Sequence, residues 1–153
     1  MVAILVDDFE GDAEEFYQVV AEEVDKKEIP GVQIRRSAQS RSKSGGWFAG
    51  VETVPALTVA DKTQKVAVIA YPFGRSFHVA TRAYWTDMKF AQMEREGRLY
   101  PLEEIYSGCF QETVDRAVRA ALVKYLAKRQ APVPPDLDPK SVFYVRGAQG
   151  GEG

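Results

Sequence analysis

Residues Lys65 to Trp85, KVAVIAYPFGRSFHVATRAYW, limit the fold more than any other stretch. Val66 to Ala70 is a short, continuous apolar run rich in β-branched residues, as in a strand covered on both faces. Pro72-Phe73-Gly74-Arg75 follows. Pro72 has no N–H and a preset φ, and Gly74 tolerates positive φ, so these four residues read as a turn. The chain then alternates. Phe77, Val79, Thr81, Ala83 and Trp85 share one side of a strand; His78, Ala80, Arg82 and Tyr84 share the other. A β-hairpin is expected, with the rest of the chain as its cover.

Before the hairpin, Val2 to Val6 reads as an edge strand or an apolar lead-in. Asp7 or Asp8 caps a helix over about residues 9–27, in which Phe9, Ala13, Phe16, Val20 and Val24 keep helical spacing. Ile29-Pro30-Gly31 stops it. Val32 to Gln39 alternates as a strand, residues 40–46 form a Ser/Gly-rich loop, and Trp47 to Val54 is a second strand. Pro55 calls for an edge position or a bend, with a short strand over residues 56–60 beyond it. After Trp85, Thr86 or Asp87 caps a short helix that Gly97 ends. Pro101, followed by Glu103 and Glu104, opens a long helix to about Lys128. Its stripe is Phe110, Val114, Ala117, Val118, Ala121, Leu122 and Tyr125.

Strands joined by short turns, with helices grouped at the two ends, imply an α+β fold. Its core is an antiparallel meander of about five strands, with the N-terminal and C-terminal helices on one face. At 153 residues a single domain over 1–130 is expected. Residues 131–146 read as a Pro-rich linker with an extra strand or arm at 141–146, and 147–153 as a disordered tail.

The composition, 45% apolar and 27% charged, is that of a folded soluble protein. A net charge of −2 gives no global attraction to nucleic acid or anionic membrane. The charge is unevenly spread. Residues 1–31 carry ten Asp/Glu against two Lys; residues 32–50 carry Arg35, Arg36, Arg41 and Lys43 and no acid. No apolar run reaches membrane-spanning length and no signal segment is evident, which points to the cytoplasm.

One histidine and one cysteine cannot build a Cys/His zinc site within one chain. No phosphate-binding glycine loop or nucleophile elbow is present. The acidic cluster Asp7, Asp8, Glu10, Asp12, Glu14 and Glu15 lacks calcium-loop spacing and suits a solvated helix start. His78 is expected to be partly buried with a hydrogen bond, and Cys109 to be a small core residue. No catalytic residue, cofactor or metal is therefore assigned; an enzyme built on His78 ranks last.

Three binding readings stay open. Seventeen aromatics and strongly apolar helices overfill one small core, which points to a homo-oligomer or a partner protein. Arg35, Arg36, Arg41 and Lys43 beside Trp47, extended by Arg75 and Arg82, suit phosphate or single-stranded nucleic acid. A cupped sheet under helices suits a small apolar ligand.

Residues 70–80, AYPFGRSFHVA, also resemble a motif of an uncharacterised group of bacterial proteins, A-P-F-G-x-x-F-F-V-S. Pro72, Phe73, Gly74, Phe77 and Val79 match; Tyr71, His78 and Ala80 depart. Phe110-Gln111-Glu112 with Asp115-Arg116-Ala117-Val118 extends the similarity, which spans about residues 32–128. Members often carry membrane segments, which this chain lacks. The resemblance implies a bacterial domain and no catalytic residue: Pro72 and Gly74 shape the turn, and Phe73 and Phe77 pack.

Overall fold

A computed structural model describes residues 1–42 and 50–137. The order is β1 (Ala3–Val6), α1 (Ala13–Asp25), β2 (Gln33–Ser42), β3 (Val51–Ala60), β4 (Gln64–Phe73), β5 (Ser76–Trp85), α2 (Met88–Arg95) and α3 (Pro101–Lys128), followed by a 3-10 turn at Pro135–Leu137. One antiparallel sheet runs β1-β5-β4-β3-β2. The expected meander is β2 to β5, and β1 closes its far edge, with Ala3 opposite Ala80 and Val6 opposite Phe77.

Strand alternation sorts the sheet into two sides. Leu57, Val59, Val66, Val68, Ala70, Phe77 and Val79 point to the helices and are buried. There they meet Phe16, Val20 and Val24 of α1 and the Phe110-to-Tyr125 stripe of α3. Phe9, Phe16, Phe77 and Tyr125 pack edge-on or tilted, with ring centroids 5.8–6.2 Å apart. These rings fill the middle of the space between sheet and helices, where a cupped ligand would lie.

α1 starts later than expected. Its cap is Asp12, whose Oδ1 accepts the N–H groups of Glu14 and Glu15; Asp7 and Asp8 lie in the preceding turn. Gly11 falls outside the helix, pressed against Phe77: a Cβ there would lie 2.7 Å from the ring. The hairpin also turns one residue later than read. β4 continues through Pro72 to Phe73, and Gly74 takes the first corner at φ +61°, as a two-residue hairpin turn needs.

Phe73 and Cys109 correct the packing expectations. Phe73 is 65% exposed, and Cys109 lies on the outer side of α3. Gly108 does not break α3, which runs unbroken for roughly 42 Å at 1.5 Å per residue. The Pro-rich segment docks back, with Leu137 fully buried. Residues 141–146 and 147–153 lie outside the described residues. No helix among the described residues is long and apolar enough to cross a membrane.

Candidate functional site

The side of the sheet away from α1 and α3 has no described helix packed on it. Register sets its rows. Arg35 faces Thr58, Thr58 faces Ala67, and Ala67 faces Arg82; one row along, Lys65 faces Tyr84. At the centre Ala56, Ala67 and Ala80 surround Ile69, which is opposite both Ala56 and Ala80. Lys65 Nζ and Arg82 Cζ lie 5.5 and 5.8 Å from the centroid of the Tyr84 ring. Farther along, Tyr71 and His78 stand opposite each other, Nδ1 of His78 3.2 Å from the Tyr71 hydroxyl. His78 is half-buried, in the hydrogen-bonded setting expected of it.

The seven basic and aromatic residues picked from sequence do not form one patch. Arg35 and Arg82 share the open side. Arg36, one residue on from Arg35, points to the helices, where it pairs with Glu14 at 3.0 Å and lies over the Tyr17 ring. Arg75 stands at the hairpin turn, 3.4 Å from Asp8. Arg41 lies on β2 opposite Glu52, and its side chain, like Lys43 and Trp47, is outside the described residues. Sequence reasoning missed Lys65 and Tyr84. The alternation of the hairpin held the signal, since both are on the Arg82 side.

The second surface belongs to α3. The inner positions Ser107, Phe110 and Val114 are buried, but Leu102 is 79% and Ile105 60% exposed, with Tyr106 beside them. They flank a groove of about 740 Å³ whose opposite wall is Pro30-Gly31 and the β3–β4 turn. That turn is firmly built: Asp61 Oδ1 accepts the N–H groups of Thr63 and Gln64 at 2.8 and 2.9 Å. Tyr106 lines the groove together with Asp61. Burial first, then the hydrogen bond to Asp61 and the charges of Asp61 and Glu103, push its phenol above the ordinary value. Exposure of Leu102 and Ile105 had a faint sequence signal: the apolar positions of residues 101–110 outnumber one helix face.

Among the described residues, no three His, Cys, Asp or Glu side chains gather as they would around a metal. Comparison with family models, with curated proteins and with solved structures returned no match to this chain.

Proposed function

We propose that the chain is a protein-interaction module that pairs with a second copy of itself through the outer side of the first half of α3. The observation that carries this reading is the exposure of Leu102 and Ile105 beside the groove. Outer positions of a helix packed on one side are ordinarily polar. Fully burying each of these two side chains would favour association by about 1.5–3 kcal/mol.

Self-pairing fits because one surface carries both the protruding residues and the recess, as a two-fold contact between identical copies requires. Lys62 lines one wall and Glu103 the other, and neither has an ion-pair partner among the described residues. A two-fold operation that sets α3 of one copy in the groove of the other brings opposite charges together, which favours the correct register.

Cys109 supplies the test. It is the only cysteine, it is exposed, and it lines the groove. A short bis-maleimide should therefore cross-link two chains rapidly at low micromolar concentration, and I105E should abolish the product while leaving single-maleimide labelling intact. Monomer alone after complete labelling would reject the pairing.

A further inference from the structure

The open side of the sheet carries cations that nothing in the described structure neutralises. Arg36, Arg75, Arg98, Arg116 and Arg129 each face a carboxylate. Arg35, Lys65 and Arg82 face none among the described residues. Lys65 and Arg82 are nevertheless held at one ring, that of Tyr84. Two like charges gathered without a counter-ion, in a chain of net charge −2, form a local site for an anion rather than a general basic surface. Arg35 lies in the same row as Arg82, three strand spacings away, roughly 14 Å at the usual strand separation. One small anion cannot engage both ends of that row; a chain of anionic groups can.

Between and beside the cations the surface suits flat groups. Ala56 and Ala67 are fully buried beneath their longer neighbours, and Ile69, opposite both Ala56 and Ala80, presents a half-buried apolar side chain on this side. Tyr71 and His78 rise next to it, ring centroids 5.3 Å apart and nearly perpendicular. Cations along a row with an apolar side chain and rings beside them are what a single strand of nucleic acid uses: phosphates meet the cations and unpaired bases lie against the rings.

We infer that the open side of the sheet binds single-stranded nucleic acid, with phosphates held by Arg35, Lys65 and Arg82 and bases lying over Ile69 against Tyr71 and His78. The site is on the opposite side of the sheet from α3, so it stands independently of self-pairing.

The test is fluorescence anisotropy of a labelled twelve-nucleotide single strand with the full chain. Three phosphate contacts give a log–log salt slope of about −2, so binding should weaken roughly 20-fold between 50 and 200 mM salt. R35Q/R82Q should weaken binding at 50 mM salt and bring the slope to about −0.7. Y71A should weaken it roughly tenfold at both salts, by loss of stacking. R98A removes a guanidinium already paired with Glu96 and should change nothing. Circular dichroism confirms that each variant is folded, and the wild-type slope needs no variant. Absence of binding at 50 mM salt overturns the inference. So does an unchanged affinity in R35Q/R82Q. Displacement of the oligonucleotide by inorganic polyphosphate or polyglutamate at equal charge, with no effect of Y71A, would mean a general polyanion or acidic-protein surface and also overturns it.

Discussion

The Tyr17 hydroxyl lies 2.7 Å from the carbonyl oxygen of Pro55 and donates to it. It accepts the N–H of Ala70 at 2.8 Å. The β3–β4 ladder pairs Ala56 with Ile69, and one step further the same register would pair Pro55 with Ala70. Proline has no N–H to give that ladder, and the helix α1 supplies a phenol in its place. Pro55 thereby sits where the β3–β4 pairing ends, paired only with Ala38 of β2. Past this point the strands part around a recess of about 260 Å³ lined by Val54, Ile69, Tyr71 and Phe73.

Y17F keeps the ring, which is fully buried, and removes only this bridge. It leaves a buried N–H and a carbonyl without partners, so a loss of about 1–3 kcal/mol is expected. Urea unfolding monitored by far-UV circular dichroism measures it. A loss below a few tenths of a kcal/mol would show that water takes over the bridge.

Gly11 and Phe77 give a second prediction. A methyl carbon at position 11 would lie 2.7–2.9 Å from three atoms of a buried ring, so G11A forces the ring or the backbone aside. Overpacking of this kind costs about 1–3 kcal/mol. Trimming the ring should relieve the clash, so G11A should cost less in an F77L background. Equal costs in both backgrounds would mean that the backbone moves instead.

These two contacts also explain where sequence reading stopped. The hairpin, the helix stripes and the five-strand antiparallel sheet followed from periodicity, because one side of each element is buried. The cap of α1 did not. Four acidic residues lie between positions 7 and 12, and the contacts that mark this point of the chain, Gly11 against Phe77 and the Asp12 N–H to the Tyr125 hydroxyl, come from across the fold. Pro55 read as an edge position or a bend, and it does lie where the β3–β4 pairing ends; the Tyr17 bridge at that point was not legible, because it comes from 38 residues away. The basic patch dissolved for a simpler reason: neighbouring Arg35 and Arg36 point to opposite sides of β2, a consequence of alternation along the strand. Cys109 and Phe73 are of types usually buried, and exposure of such residues depends on which elements pack where.

A third prediction concerns acid. Burial opposes the charged form of Glu23, but hydrogen bonds from Lys124 and Lys26, together with their charges, outweigh it and hold the carboxyl below its ordinary value of 4.5. The unfolded chain therefore binds the proton first as pH falls. The stability that Glu23 contributes is complete above its ordinary value and is lost as pH drops through the lower folded one. Wild type should lose more stability between pH 6 and pH 3 than E23Q, read as urea midpoints at each pH. Parallel curves would assign the acid sensitivity to other carboxylates.

The outer side of α3 gives the fourth. Ordinary surface substitutions change stability by no more than about half a kcal/mol, so I105E should leave the unfolding midpoint of the isolated chain nearly unchanged at concentrations where it is monomeric. Its effect should fall on association alone. A large loss of stability in the monomer would show that Ile105 packs within its own chain.

The most direct measurement is multi-angle light scattering during size-exclusion of wild type, L102E and I105E, loaded from 1 to 200 μM. Pairing through α3 predicts a wild-type mass that rises toward twice the chain mass of 17.1 kDa, and variants that stay at the single-chain mass throughout. A wild type that remains a monomer at every concentration, or variants that dimerise as well as it does, would contradict the proposal.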